Sequence, residues 1–521
     1  MIKNPVLSGF HADPSLLYVD GVFYTANSTF EYFPGVVVSA SKDLANWETV
    51  SLPLNEPRLL HMEGNPKSCG IWAPCLTYCD GLFYLVYTDV KYWSAPYKDS
   101  PNYITTAKDI RGPWSDPVFV NCSGFDPSLF HDDDGRKYFV SMEWDYRKYD
   151  PDPAKEATQF TGILITELDP VALTPVAEPV KVFKGSKLGL VEGPHLYKKD
   201  GFYYLFAAEG GTAYNHAETV CRAKSVYGEY VMHPNTHLTC TANAPDAPLQ
   251  KTGHGAMVQS NDGRWWFAFL CGRPLPGTRF CPLGRETAIN ELIWKEGWPY
   301  LKNGTMIPDQ YFEGYGEQKP PEAVAYDFKS ERFFLDFQFL RSKPKYSIEA
   351  DGALRLWGGN SPCCNFGQGA FLRRQTDFSF EAAMSFKLTA GHFQQMAGLM
   401  YRYDETNHVF LRAAYDKEEN KSTLAILCQD AGKFSIPVEI EIPDAFATIY
   451  LKLTVSGKSG YFSYSPDGVS YAKLHYEIDV TKLSDEYGGL GFTGAFVGMQ
   501  SVDMRDKTSF ADFYGFEYIP R

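Results

Sequence analysis

Hydrophobic and polar positions in the N-terminal part of the chain follow one phrase, written five times. An apolar run reaches an Asp-Gly pair and continues as an aromatic-rich run: Asp20-Gly21-Val22-Phe23-Tyr24, Asp80-Gly81-Leu82-Phe83-Tyr84, Asp134-Gly135-Arg136-Lys137-Tyr138, Asp200-Gly201-Phe202-Tyr203-Tyr204 and Asp262-Gly263-Arg264-Trp265-Trp266. Asp-Gly between two strand-like runs predicts a tight hairpin, because a type I′ turn needs positive φ at both central residues. The pairs recur at intervals of 60, 54, 66 and 62 residues, with hardly a convincing long helix between them. Radial repetition of four-stranded units produces such a pattern, so residues 1–315 are expected to form a five-bladed β-propeller. The intervals are longer than the roughly 40–45 residues of WD-type repeats, which leaves connections long enough to build a site.

Past Gly316-Glu317-Gln318-Lys319-Pro320-Pro321-Glu322 the pattern changes, and residues 316–324 read as a linker. Phe378, Phe380, Ala382, Met384, Phe386 and Leu388 then alternate with Ser379, Glu381, Ser385 and Lys387. Ile449, Leu451, Leu453 and Val455 alternate in the same way with Tyr450, Lys452 and Thr454. Period two marks half-buried strands, so residues 325–521 are expected to form a β-sandwich and the chain as a whole is all-β.

Each Asp-Gly turn closes a strand, and the residue seven or eight positions earlier lies at that strand's start. Counting back reaches Asp13, Trp72, Asp126, Glu192 and His254. If these strands are innermost in their blades, three carboxylates, a Trp and a His converge at one mouth of the central channel. An Asp before Pro is by itself a common turn former, and a lone buried Trp or His is usually structural; the shared register is what marks these five as a site. The turn residues Asp20, Asp80, Asp134, Asp200 and Asp262 have a complete local explanation and are left out of it.

Composition narrows the chemistry. The chain of 521 residues carries a formal charge of −14, so phosphate backbones and anionic membranes are poor partners and a neutral ligand fits better. No run approaches the ~18 apolar residues of a membrane span, and the first residues lack the apolar core of a signal peptide, so a cytoplasmic location is expected. The 11 cysteines have no regular spacing and read as buried free thiols. Separated carboxylates in an uncharged, aromatic-walled pocket suit glycoside hydrolysis: one donates a proton to the leaving oxygen while another, ionised, activates water or attacks the sugar. A third acid nearby can raise the donor's pKa.

At this point the residues resemble glycoside hydrolase family 43, and within it the two-domain β-xylosidases. The phrases that carry the resemblance are Asn4-Pro5-Val6-Leu7-Ser8-Gly9-Phe10-His11-Ala12-Asp13-Pro14-Ser15, Trp72-Ala73-Pro74, Ser123-Gly124-Phe125-Asp126, Glu192-Gly193-Pro194-His195-Leu196-Tyr197, Cys281-Pro282-Leu283-Gly284-Arg285-Glu286-Thr287 and Gly491-Phe492-Thr493-Gly494-Ala495-Phe496. The resemblance implies an inverting exo-enzyme with Asp13 as general base, Glu192 as general acid and Asp126 raising and positioning that acid. Inversion would require Asp13 and Glu192 about 6.5–9.5 Å apart. By the same resemblance Arg285 binds sugar hydroxyls and interacts with Asp126, and Trp72, Phe30, His254 and Phe496 line the substrate. A sandwich loop is expected to close the pocket, with either Phe492 or Phe496 reaching it. No cofactor is required on this reading, although His254 is similar to a channel histidine that holds calcium in some members. The chain departs from the family in having Glu192-Gly193-Pro194 where many close relatives have Glu-Ala-Pro.

The resulting expectation is a hydrolase that takes terminal β-1,4-linked xylose from xylooligosaccharides. An α-L-arabinofuranosidase, or an enzyme with both activities, is the alternative within the class, and a non-catalytic carbohydrate-binding propeller the alternative outside it. Expected partners are a xylooligosaccharide or arabinoside and further copies of the chain in a homo-oligomer.

Overall fold

The computed structural model describes residues 1–94, 96–150, 152, 159–443, 448–489 and 491–521. Among these, five four-stranded antiparallel sheets follow one another along the chain. Their first strands are Ser15–Val19, Gly70–Cys79, Ser128–His131, Glu192–Lys199 and Gln250–Gln259. These strands touch one another in order, and the fifth touches the first, so they form the inner wall of a closed ring. Each Asp-Gly pair turns the inner strand into the second strand of its blade.

Turn chemistry follows the expectation in three blades and departs from it in two. Asp20, Asp80 and Asp200 have φ of 50°, and the glycines after them φ of 79°, 80° and 75°, the two left-handed residues of a type I′ turn. In blades three and five only Gly135 and Gly263 are left-handed. There the loops are longer, with Gly135 N–H donating to the Asp132 carbonyl and Gly263 N–H to the Ser260 carbonyl.

The N-terminal segment fastens the ring. Asn4 donates its side-chain amide to the Ile289 carbonyl and accepts the Ile289 N–H, both at 2.8–2.9 Å. Ile2–Lys3 pairs with Tyr311–Phe312 beyond blade five, and His11 N–H reaches the Arg285 carbonyl at 2.8 Å. The phrase around Asp13 is thereby tied to the strand that begins at Arg285.

The C-terminal part is two large antiparallel sheets packed face to face. In the strand Ser379–Thr389, Phe380, Ala382, Met384 and Phe386 point inward and pair with Val455, Leu453, Leu451 and Ile449 of Ile449–Ser456. At ~1.5–3 kcal/mol for each large side chain taken from water, this period-two face accounts for the formation of the sheet. The other sheet is extended by the propeller: Tyr32–Phe33 pairs with Phe337–Leu340 as its edge strand. Covering an otherwise open sheet edge, this shared strand joins the two domains. Arg374 reinforces the joint, its Nε donating to the Phe10 carbonyl at 2.6 Å.

All 11 cysteines are free thiols; six are buried, but Cys122 and Cys363 are exposed, contrary to the expectation that all are buried. Among the described residues no helix is long and apolar enough to cross a membrane.

Candidate active site

Each inner strand has a left-handed residue within it or just ahead of it, next to the pocket: Asp13 (φ 52°), Ala73 (37°), Asp126 (55°), Gly193 (56°) and His254 (49°). In a non-glycine residue this conformation costs about 1–2 kcal/mol, and it kinks the chain so that neighbouring side chains aim into the ring mouth. Asp13, Asp126 and His254 occupy the kink themselves, whereas Trp72 and Glu192 precede it by one residue. The sequence register is therefore shifted by one in blades two and four, yet all five side chains reach the same pocket.

That pocket has a cavity volume of about 40 Å³ and is lined by Asp13, Phe30, Trp72, Phe125, Asp126, Glu192, Thr212, His254, Arg285 and Phe492. The three carboxylate residues are only 5–7% exposed. Asp13 accepts the Ser28 hydroxyl at 2.6 Å, and Ser28 Oγ in turn accepts Ala73 N–H at 2.8 Å, which ties Asp13 to the kink of blade two. His254 lies between two acids, Nδ1 3.3 Å from Asp13 and Nε2 4.0 Å from Asp126. Gly193 N–H donates to Asp126 at 3.1 Å. The Glu-Gly-Pro departure has a local reason as well, because a Cβ on Gly193 would meet the His254 ring at 2.5 Å.

Burial and crowding set the electrostatics. Burial first, then the Asp13 charge, pushes the Glu192 carboxyl up to about 7, with Lys98 and Arg285 pulling the other way. Burial, then Glu192 and Asp13, holds Asp126 well above the usual carboxylate range. Two like-charged groups in one dry site do not both ionise, so the pair retains a proton near neutrality. Burial also lowers His254, against the pull of Asp13.

The walls are aromatic. Trp72 meets Phe125 edge-on at 5.2 Å and Phe492 at 5.3 Å, and Phe30 stacks on Phe492 at 5.5 Å. Phe492 belongs to the second domain, so the sandwich supplies one wall of the pocket. Phe496 does not line it: fully buried, it stacks on Tyr32 at 3.8 Å in the joint between the domains. The reason is its place at the start of the strand Phe496–Asp503, whose pairing turns the ring toward Tyr32, whereas Phe492 lies in the preceding loop. Arg285 is also placed differently than expected. Its ion-pair partner is Asp485 of the sandwich at 3.5 Å, not Asp126, and Glu286 pairs with Arg273 instead.

Three contributors lie outside the repeat register. Thr212 lines the pocket, Ser28 holds Asp13, and Lys98 points its ammonium into four rings, 4.4 Å from Trp144, 4.8 Å from Phe125, 5.0 Å from Trp72 and 5.7 Å from Trp93. Burial brings Lys98 down to about 8, opposed by Glu192 and Asp126. Lys98 and Thr212 sit on connections between outer strands, where no repeated phrase exists to flag them.

Both ring nitrogens of His254 face carboxylates, and among the described residues no group of three or more His, Cys, Asp or Glu is arranged to hold a metal ion.

A propeller with three carboxylates at one mouth, walled by a sandwich residue, matches what comparison with known proteins finds. The model of glycosyl hydrolases family 43 matches residues 2–299, and that of the beta xylosidase C-terminal concanavalin A-like domain matches residues 325–519. The chain belongs to glycosyl hydrolase family 43. It is 42% identical to a xylosidase/arabinosidase from Humicola insolens, covering 100% of this chain and 98% of that protein. It is 39% identical to a beta-xylosidase from Bacillus subtilis, with 99% of both covered. A crystal structure of xylan beta-1,4-xylosidase from Bacillus halodurans superposes with a TM-score of 0.94 at 41% identity, over 100% of each chain. The protein is thus a glycoside hydrolase, and nothing supports the non-catalytic alternative.

Two outcomes test this geometry. Phe496→Ala is expected to cost about 3–5 kcal/mol of folding stability in urea unfolding while leaving KM unchanged; Phe492→Ala is expected to raise KM with the smaller loss of stability. The Lys98 cation lowers Glu192, so Lys98→Met raises it. An acid that must be protonated to work then works to higher pH, and the basic limb of the kcat/KM profile moves upward.

Proposed function

We propose that the protein is an exo-acting, inverting β-xylosidase that removes terminal non-reducing β-1,4-linked xylose from short xylooligosaccharides. The observation that carries this reading is the pocket itself: three buried carboxylates under a roof that includes Phe492 from the second domain. A groove open at both ends would pass a polysaccharide, whereas a small pocket walled on one side by Phe492 admits a chain end.

Each side chain has a task. Asp13, held by Ser28 and beside His254, is the general base that takes a proton from water as it attacks the anomeric carbon. Glu192 is the general acid that protonates the glycosidic oxygen as the bond breaks on the opposite face. The proton shared with Asp126 is assigned to Glu192: Asp126 receives the Gly193 N–H, which favours its ionised form, and among the described residues Glu192 receives no such donor. Burial and the Asp13 charge keep the acid protonated, and Asp126, fixed by the Gly193 N–H, positions it. Trp72, Phe30 and Phe492 give the sugar apolar faces to pack against, and Arg285 offers donors to its hydroxyls.

Xylose and arabinofuranose present similar hydroxyls, so an additional α-L-arabinofuranosidase activity is the second reading, favoured by the likeness to a xylosidase/arabinosidase. We also place the enzyme in the cytoplasm, acting on imported oligomers; its 11 unpaired thiols suit a reducing compartment.

The paired assay tests the assignment. Hydrolysis of 4-nitrophenyl β-D-xyloside is expected to show the higher kcat/KM, and clear preference for 4-nitrophenyl α-L-arabinofuranoside would overturn it. Glu192→Ala should lower kcat on the order of 10²–10⁴-fold; near-normal turnover would remove Glu192 from the role of acid.

A further inference from the structure

Arg285 lines a pocket with three carboxylate residues, yet among the described residues its only carboxylate neighbour within 4 Å is Asp485, in the other domain. An arginine this close to buried acids would ordinarily pair with one of them. What holds it away is a set of contacts from the sandwich. Nη1 donates to the Phe492 carbonyl and Nη2 to the Gly491 carbonyl, both at 3.2 Å, and Asp485 stands 3.5 Å from Nη2. Among the described residues Nε has no hydrogen-bond partner, which leaves it a donor for a sugar hydroxyl.

Asp485 belongs to a cluster of two buried cations and two half-buried anions. Lys251 lies 3.8 Å from the same Asp485 oxygen and forms an ion pair with Glu486, whose second oxygen accepts Cys281 N–H at 2.9 Å. Around this cluster two segments far apart in sequence fit against each other. Ala495 N–H donates to the Pro282 carbonyl at 2.8 Å. Gly284 and Gly494 meet backbone to backbone, since a Cβ on Gly284 would lie 2.6 Å from the Thr493 carbonyl oxygen and one on Gly494 would lie 2.6 Å from that of Leu283. The phrases Leu283-Gly284-Arg285 and Phe492-Thr493-Gly494-Ala495 are therefore one structural unit.

We propose that Asp485 is a positioning residue for the sugar pocket: it competes with Asp13, Asp126 and Glu192 for Arg285 and keeps the guanidinium docked on the sandwich loop, so that a sugar rather than an ion pair fills the space between arginine and acids. With the Asp485 charge removed, the cluster carries an uncompensated positive charge. Arg285 is then free to turn toward the pocket acids, among them Glu192, on which its charge already acts, and closes the space the sugar needs. The inference rests on the glycosidase reading of the pocket; wild-type turnover of 4-nitrophenyl β-D-xyloside is measured first, and its absence would fault that reading instead.

The test is a double-mutant cycle on that substrate. Asp485→Asn in the wild-type background is expected to raise KM on the order of tenfold, with the thermal midpoint nearly unchanged. In an Arg285→Ala background the same substitution is expected to change KM no further, because the residue it acts through is gone. Wild-type KM in Asp485→Asn, or equal effects in both backgrounds, would overturn the proposal. Glu486→Gln separates positioning from general loosening of the interface: it should lower the thermal midpoint without moving KM, and a KM rise equal to that of Asp485→Asn would count against the proposal. If Asp485→Asn does not fold, Asp485→Glu is read in the same cycle, where a KM rise that vanishes without Arg285 supports the assignment and an unchanged KM contradicts it.

Discussion

Burying three carboxylates at the mouth of one ring is the constraint on which the rest of the structure depends. An ion taken out of water carries a penalty of several kcal/mol even after relaxation, and three like charges repel one another besides. The protein meets this by keeping a proton on the Asp126–Glu192 pair and by placing two cations nearby without letting either form a close ion pair with the acids. Lys98 is held by four aromatic rings and Arg285 by the sandwich loop. Each pulls Glu192 down a little, and neither quenches it. The outcome is a protonated Glu192 beside ionised carboxylates in the same cavity, which is the division of labour that inverting hydrolysis requires.

The backbone bears part of this cost. A left-handed residue within or just ahead of every inner strand is unfavourable wherever it is not glycine, and it is retained in all five blades. Five hairpins and the shared edge strand Tyr32–Phe33 hold the kinks in place. Where two kinked blades would collide, at Gly193 and His254, the side chain is absent. The sandwich likewise belongs to the site, since it contributes a wall through Phe492 and holds Arg285 through Asp485 and two backbone carbonyls.

How much of this was legible in sequence depended on repetition. The Asp-Gly turns announced the blades because a type I′ hairpin leaves a two-residue signature, and the acids followed by counting back from them. The count landed one residue early on the kink in blades two and four, because Trp72 and Glu192 precede the left-handed residue, a shift that only φ angles reveal. Lys98, Thr212 and the Asp485 cluster lay on unrepeated connections and left no periodic trace. Phe492 and Phe496 were indistinguishable as letters; strand pairing, which turns Phe496 toward Tyr32, is what separates them. The family 43 phrases at residues 281–287 and 491–496 were visible in the sequence, but not their contact with each other.

The central claim is that Glu192 carries the proton at neutral pH because its neighbours forbid a second charge. Difference infrared spectroscopy across a pH titration measures it directly, by following the carbonyl band of a protonated carboxylic acid in the wild-type protein. The account predicts a band that persists to about pH 7, is lost in Glu192→Gln, survives in Asp126→Asn, and has its titration moved to lower pH in Asp13→Asn. A band that disappears near the ordinary glutamate value of 4.5, or one that is abolished by Asp126→Asn and kept in Glu192→Gln, would contradict it.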